Sequence, residues 1–272
     1  MRDWLIVISL VLFAIGLRSS RNVAMRKMGA LAFLGAGFMF FAVLFSSWWW
    51  GLLGVVPWFL LPWVELLTRI RRMRLPVNNR LTQFSSPDPD FFPNAPEAGR
   101  AMEEAGFEHV DDCGWDWSGM RQHFRIFWNP EECAESVICL CEQGEVAFAF
   151  ISITSRDHDG NIYRTTNYPF SPTLRCPPHV NWNHVPCERN CFHQILEDHH
   201  QYLRTVNASK DSLCVPDPDQ IESMIEAEMK TQIDHNLKTG IITSSDADHF
   251  KYSWRGLFFL WGQFVKDMIR LC

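Results

Sequence analysis

Eight side chains able to ligate a borderline metal fall within 25 residues: Cys176, His179, His184, Cys187, Cys191, His193, His199 and His200. Thiolate and neutral imidazole are the donors Zn²⁺ prefers, and a tetrahedral set of four can be drawn from them. The spacing argues against it. There is no Cys-x-x-Cys pair, and Cys187-x3-Cys191 straddles an expected helix start. Structural zinc takes its ligands from two tight knuckles, whereas only one loop is evident here. Partly exposed helix histidines and buried thiols are the simpler assignment, with a zinc-stabilised domain or metalloenzyme at 176–200 as the alternative. No residue is therefore assigned a catalytic, metal-binding or cofactor-binding role, and no cofactor is expected.

The other candidates are weaker still. Cys191 beside His193 offers a thiol and an imidazole, but no nucleophile elbow or oxyanion sequence surrounds them. Asp157, Asp159 and Gly160 lack the EF-hand spacing and its terminal Glu, so a hairpin turn suffices. Gly35-x-Gly37 lies inside an apolar run, where small residues serve helix packing and not phosphate binding. Asn207-Ala208-Ser209 has the form of a glycosylation acceptor, relevant only to a lumenal domain. Nine cysteines is an odd number, which fits free thiols in a reducing compartment. Cys139 and Cys141, two apart in a strand, point to one face as small core residues.

These residues must be held by a domain that begins after a polar linker at 75–94. Asn94, Pro96 and Glu97 start a short helix, 96–105, that ends at Gly106. Strand-like runs follow at 107–117, 121–128, 136–142, 145–155 and 161–168, with turns at Asn129-Pro130, Gln143-Gly144 and 157–160. Such short connections predict an antiparallel meander. Val146, Phe148 and Phe150 alternate with Ala147 and Ala149, which gives one large face and one small. After a Pro-rich crossing at 169–186 come a helix at 189–206 and a second at 217–239, the latter with an apolar stripe and charged outer faces. The ending 249–272 turns from a short strand into a helix whose apolar face is expected to pack on the sheet, with a helix lying along the membrane as the alternative.

Ahead of the domain lies an anchor. From Met28 to Leu67 the only charged residue is Glu65, a run long enough to cross a 30 Å hydrocarbon core twice. Trp4–Leu17 is a shorter uncharged run. Spans at about 1–17, 28–46 and 48–67 place Arg18, Arg21, Arg26 and Lys27 on the same side as Arg69, Arg71, Arg72 and Arg74. The positive-inside rule then puts the N-terminus outside and the domain in the cytoplasm, with Trp48-Trp49-Trp50 at the far interface. Pro57 and Pro62 are expected to kink the last span. The first 74 residues carry nine Lys or Arg against two acids, and the remainder 16 against 29. An acidic domain without a basic stripe argues against nucleic acid as a partner.

The succession of a helix, antiparallel strands with DGNIYRTTN (159–167), a Pro-Pro crossing, a helix carrying HQILEDHHQYL (193–203) and a closing YSWRG (252–256) aromatic helix is similar to a group of uncharacterised bacterial membrane-anchored proteins. The resemblance covers about 95–270. It implies N-terminal transmembrane segments joined to one α+β domain, and it brings no activity. The expectation is a multi-pass cell-membrane protein: anchor 1–74, linker 75–94, and an antiparallel sheet domain flanked by helices at 95–272. Its expected role is that of a membrane-tethered, non-enzymatic interaction or accessory module. Its partners would be the lipid bilayer and a protein meeting the sheet face or the charged helix 217–239.

Overall fold

The computed structural model describes residues 2–20, 22–78, 80–83, 92–117, 120–144, 146–187 and 191–270. Residues 79 and 84–91 of the expected linker, the first residues of the helix expected from 189, and Cys272 lie outside these. Three helices open the chain: α1 (Arg2–Arg18), α2 (Val23–Leu44) and α3 (Trp48–Thr68). After the two-residue strands β1 (Leu75–Pro76) and β2 (Thr82–Gln83) comes α4 (Ala95–Glu104). The strands β3 (Glu108–Trp117), β4 (Met120–Asn129), β5 (Ala134–Gln143), β6 (Val146–Asp157), β7 (Ile162–Thr166) and β8 (Val180–His184) follow. Then come α5 (Phe192–Thr205), β9 (Leu213–Cys214), α6 (Ile221–Lys238), β10 (Ile242–Ser244), β11 (His249–Tyr252) and α7 (Trp254–Arg270).

The chain divides into two compact units. The first comprises Met1–Leu75, Phe170–Thr173 and Leu237–Cys272. Within it, two helical stretches, Ala24–Leu44 and Trp48–Arg72, are long and apolar enough to cross a membrane. The 17 residues of α1 make it shorter than the roughly 20 such a crossing needs. α2 and α3 form a hairpin whose close approach depends on glycine. A Cβ on Gly54 would lie 2.6 Å from the Phe41 ring and 2.9 Å from the Gly37 carbonyl. Small residues at such crossings let two backbones come together. Trp48 and Trp49, at the hairpin tip, are 73% and 78% exposed. Pro57 and Pro62 sit inside α3 without ending it.

α7 departs from expectation. The helix belongs to the first unit and packs along α3. Phe258 and Trp261 meet Trp63 at ring-centroid distances of 4.8 and 6.5 Å, and the Trp261 indole N–H donates to the Phe59 carbonyl at 2.8 Å. A small sheet in the order β1–β11–β10 completes this unit.

The second unit, Pro76–Pro169 with Leu174–Asn236, is a mixed α+β domain. Its sheet runs β2-β3-β4-β5-β6-β7-β8, with β9 also paired to β6. The pairs from β3 to β7 are antiparallel, as the short turns dictate, and β7–β8 is parallel. β8 falls within the expected crossing; VNWNH between prolines carries little strand signal by itself. Alternation along each strand assigns two faces. Ile138, Leu140, Ile151 and Ile153 form one core with Met102, Phe107, Phe192 and Ile195, under α4 and α5. Val137, Cys139, Cys113 and Ile126 form the other with Ile221, under α6. Helices therefore flank the sheet on both sides.

Candidate functional site

The histidines and cysteines of 176–200 are dispersed by the fold. His199 on α5 is buried against the sheet, its Nε2 3.1 Å from Ser155 Oγ and its Nδ1 2.9 Å from Thr165 Oγ1. Burial, aided by neighbouring His200, pushes its pKa down to about 3, so it is a neutral ring that fastens α5 to β6 and β7. His200 faces the other way and pairs with Glu132 at 2.6 Å. His184 lies beside the Trp182 ring, Cys176 is half-buried, and Cys187, Cys191 and His193 are exposed. Among the described residues, no three of His, Cys, Asp or Glu come together to hold a metal ion. Cys113, Cys133, Cys139 and Cys141 are buried free thiols. Burial raises the Cys139 and Cys141 pKa values, the latter to about 12, so these thiols are inert core residues.

The 157–160 turn is self-contained. Asp157 accepts from the Asp159 and Asn161 backbone N–H groups and from the Asn161 amide and Tyr163 hydroxyl, while Gly160 adopts φ +82°. The carboxylate is occupied by the turn it builds. From the same turn His158 Nδ1 reaches Cys214 Sγ at 3.2 Å, tying it to β9.

Sequence reasoning missed a buried ionic cluster on the α6 face of the sheet. Glu135 on β5, 1% exposed, takes two hydrogen bonds from the Arg156 guanidinium at 2.7 and 2.8 Å. Glu228 on α6 accepts from Arg156 Nε at 3.1 Å and from Arg164 Nη2 at 2.6 Å. Arg164 also donates to Thr154 Oγ1 and lies over the Trp182 ring. Burial acts to raise the Glu228 pKa, but Arg164 and Arg156 overcome it and hold the carboxyl below its usual range. α6 also turns Glu226 inward, where it accepts from the Leu81 N–H at 2.6 Å. The charged face expected of 217–239 therefore lacks Glu226 and Glu228; Ser223, Ala227, Lys230, Thr231, Asp234 and Lys238 are the exposed residues of α6, with Asp217 and Asp219 exposed just before it.

With both sheet faces covered, one opening in this unit is a groove of about 620 Å³ between α4, the start of β6 and the start of α5. It exists because its walls are small: Ala95, Ala98 and Ala101 on α4 stand across from Ala147 and Ala149 on β6. Register explains the strand side. Ala149 pairs with Leu140 and Ala147 with Glu142, so both alanines lie on the face that carries α4. The small face read from 146–150 is thus the floor of this groove. Phe92, Phe192 and Ile138 line it, Asn94, Glu97 and Cys191 supply polar atoms, and Ala149 and Cys191 are exposed. Glu97 alone among the described lining residues carries charge. Apolar walls with a few polar groups around a few hundred Å³ are the form of a small-molecule pocket, and among the described lining residues none is arranged as a nucleophile with its base. Compared with family models, curated proteins and solved structures, this chain finds no match in any of the three.

Proposed function

We propose that this chain is a membrane-tethered, non-enzymatic binding module that takes its ligand in the groove between α4 and β6. The observation that carries the reading is the pair of alanine walls, which leave about 620 Å³ unfilled beside a close-packed core. Larger side chains at Ala98 or Ala149 would fill that space, so its vacancy is a property of the sequence. The ligand class follows from the lining. Phe92 and Phe192 suit an aromatic or apolar body, and Glu97 at the mouth favours a neutral or cationic end over an anion. The apolar hairpin α2–α3 supports the tether, and the arginines at 18, 21 and 69–74 favour a multi-pass arrangement with the domain in the cytoplasm.

The test uses the full chain in lipid nanodiscs, with Cys187→Ser and a polarity-sensitive fluorophore on Cys191. Titration with phenethylamine should give a saturable spectral shift, and Ala149→Phe should abolish it. A response that does not saturate, or that survives Ala149→Phe, would count against the groove as the binding site.

A further inference from the structure

α7 keeps two apolar faces. One is internal: Leu257 and Leu260 are 1% and 2% exposed, and Gly256 packs so closely that an added Cβ would fall 2.0 Å from the Ile241 carbonyl oxygen. The other is the stripe Trp254, Phe258, Trp261, Val265 and Ile269, spaced four, three, four and four residues, which is one side of a helix. This stripe is only partly covered. Trp254 is 55% exposed, Phe258 59% and Ile269 38%.

Contacts within the unit give the stripe its level on the anchor. At its start the Arg71 guanidinium lies over the Trp254 ring, 4.4 Å from its centroid, just past the end of α3. One to two turns on, Phe258 and Trp261 meet Trp63 and the Phe59 carbonyl. At its end Val265, Met268 and Ile269 share a small apolar cavity with Trp58, Phe59, Leu34, Ala30 and Arg18. α7 therefore runs back along α3, from the Arg69–Arg74 cluster past Trp63 to Trp58 and Phe59, with its last turns beside Arg18 of α1. On α3 itself Leu60, Leu61 and Val64 are 54%, 61% and 61% exposed. Scattered apolar residues are ordinary on a soluble surface, but apolar stripes left open on two helices packed together are not.

We infer that α7 is a membrane-embedded helix. The chain returns to the bilayer in α7 and lays Phe258 and Ile269 against lipid acyl chains, with Trp254 and Arg71 at the headgroups. The occupant is lipid because the exposed stripe lies on a helix packed along α3, itself long and apolar enough to span, and because a Trp under an arginine suits the boundary between hydrocarbon and anionic headgroups. Asp267 does not oppose this placement: its carboxylate is turned inward, accepting from the Ser171 N–H at 3.0 Å and the Ser171 hydroxyl at 2.6 Å. The inference rests on the tether reading above and adds to it a fourth membrane-contacting helix.

The experiment separates the two. Full-length protein carrying Cys187→Ser and Cys191→Ser receives a single new exposed thiol, either Leu60→Cys on α3 or Phe258→Cys on α7, labelled with bimane. Each is reconstituted in vesicles of phosphatidylcholine and phosphatidylglycerol with nitroxide on the upper acyl chain. Both labels should lose fluorescence to a comparable extent and resist aqueous iodide. Quenching at 60 without quenching at 258 would overturn the inference and leave the tether standing. Quenching at neither position would overturn both. Leu60 is more than half exposed; Phe258→Cys gives up the ring contact with Trp63, so Ile269→Cys, which leaves that contact intact, supplies an independent α7 reading with the same expected outcome.

Discussion

Replacing Glu228 with Gln removes one charge from a buried set of four and leaves two guanidinium groups facing the single carboxylate of Glu135. Glu228 has a side chain only 15% exposed, and Arg156 and Arg164 are 16% and 21% exposed, so solvent is poorly placed to compensate. Removing one partner of a buried ion pair costs about 3–5 kcal/mol. Gln retains a carbonyl acceptor, which places the expected loss near the lower limit, about 3 kcal/mol. For a unit of this size, that corresponds to a fall in Tm of roughly 6–12 °C. The protein carries its own reporter, because Cys113, Cys139 and Cys141 are buried in the core under α6 and react with maleimide only when that core opens. Thermal exposure of these thiols in nanodiscs should therefore move down by that amount in Glu228→Gln. A control separates charge from packing. The pair Glu228→Leu with Arg164→Leu leaves Arg156 and Glu135 matched and should recover at least part of the loss, since an apolar replacement of a buried ion pair is often neutral. A Tm within about 2 °C of the parent for Glu228→Gln, less than 1 kcal/mol on the same scale, would refute the view that this cluster fastens α6 to the sheet.

Two further outcomes are expected. Unfolded His199 takes up a proton below its ordinary 6.5, whereas the folded ring does so only near 3. Its contribution to stability is therefore complete above pH 6.5 and falls with decreasing pH, by about 2 kcal/mol at pH 5 at 1.36 kcal/mol per unit. The loss of Tm between pH 7 and pH 5 should shrink in His199→Gln, and an unchanged loss would show that this ring is not the titrating group. The proposed orientation predicts that a C-terminal reporter active only in the cytoplasm will be active, and activity of a periplasm-only reporter at that position would reverse it.

The elements of the sheet domain were legible because each signal was local. Gly106, Asn129-Pro130 and 157–160 punctuate the chain at the places where the meander turns, and period-two alternation identifies Val137 and Cys139 on one face and Ile138 and Leu140 on the other. The groove was half legible. The small face at Ala147 and Ala149 is visible in the strand, but its meeting with Ala95, Ala98 and Ala101 depends on where α4 docks, about 50 residues away in sequence. The ionic cluster was not legible at all. Glu135, Arg156, Arg164 and Glu228 look like ordinary surface charges on four separate elements, and only the register that sets Glu135 opposite Thr154, and Thr154 opposite Arg164, brings them to one face. The inward turn of Glu226 and Glu228 on α6 was not legible for the same reason, although Lys230, Asp234 and Lys238 do face outward. A helix with apolar residues at every fourth position leaves open which neighbouring positions turn inward, and the arginines of the sheet draw Glu228 in.

The opposite error was made at α7, where the pattern was recognised and its partner was not. An amphipathic helix states that one stripe must leave water, and it carries no information on what will receive that stripe. Protein core was the expected recipient because the sheet is the nearest large apolar surface along the chain. Both faces of that sheet are already taken, one by α4 and α5 and the other by α6, so the last helix finds its apolar contacts elsewhere. The residues that record this are Gly256, too close to Ile241 to carry a side chain, and Trp261, whose indole hydrogen seeks the Phe59 carbonyl of a helix 202 positions earlier. An indole N–H taken out of water needs an acceptor whether protein or hydrocarbon surrounds it, and Trp261 finds its acceptor on α3, which ties α7 to that helix and not to the sheet.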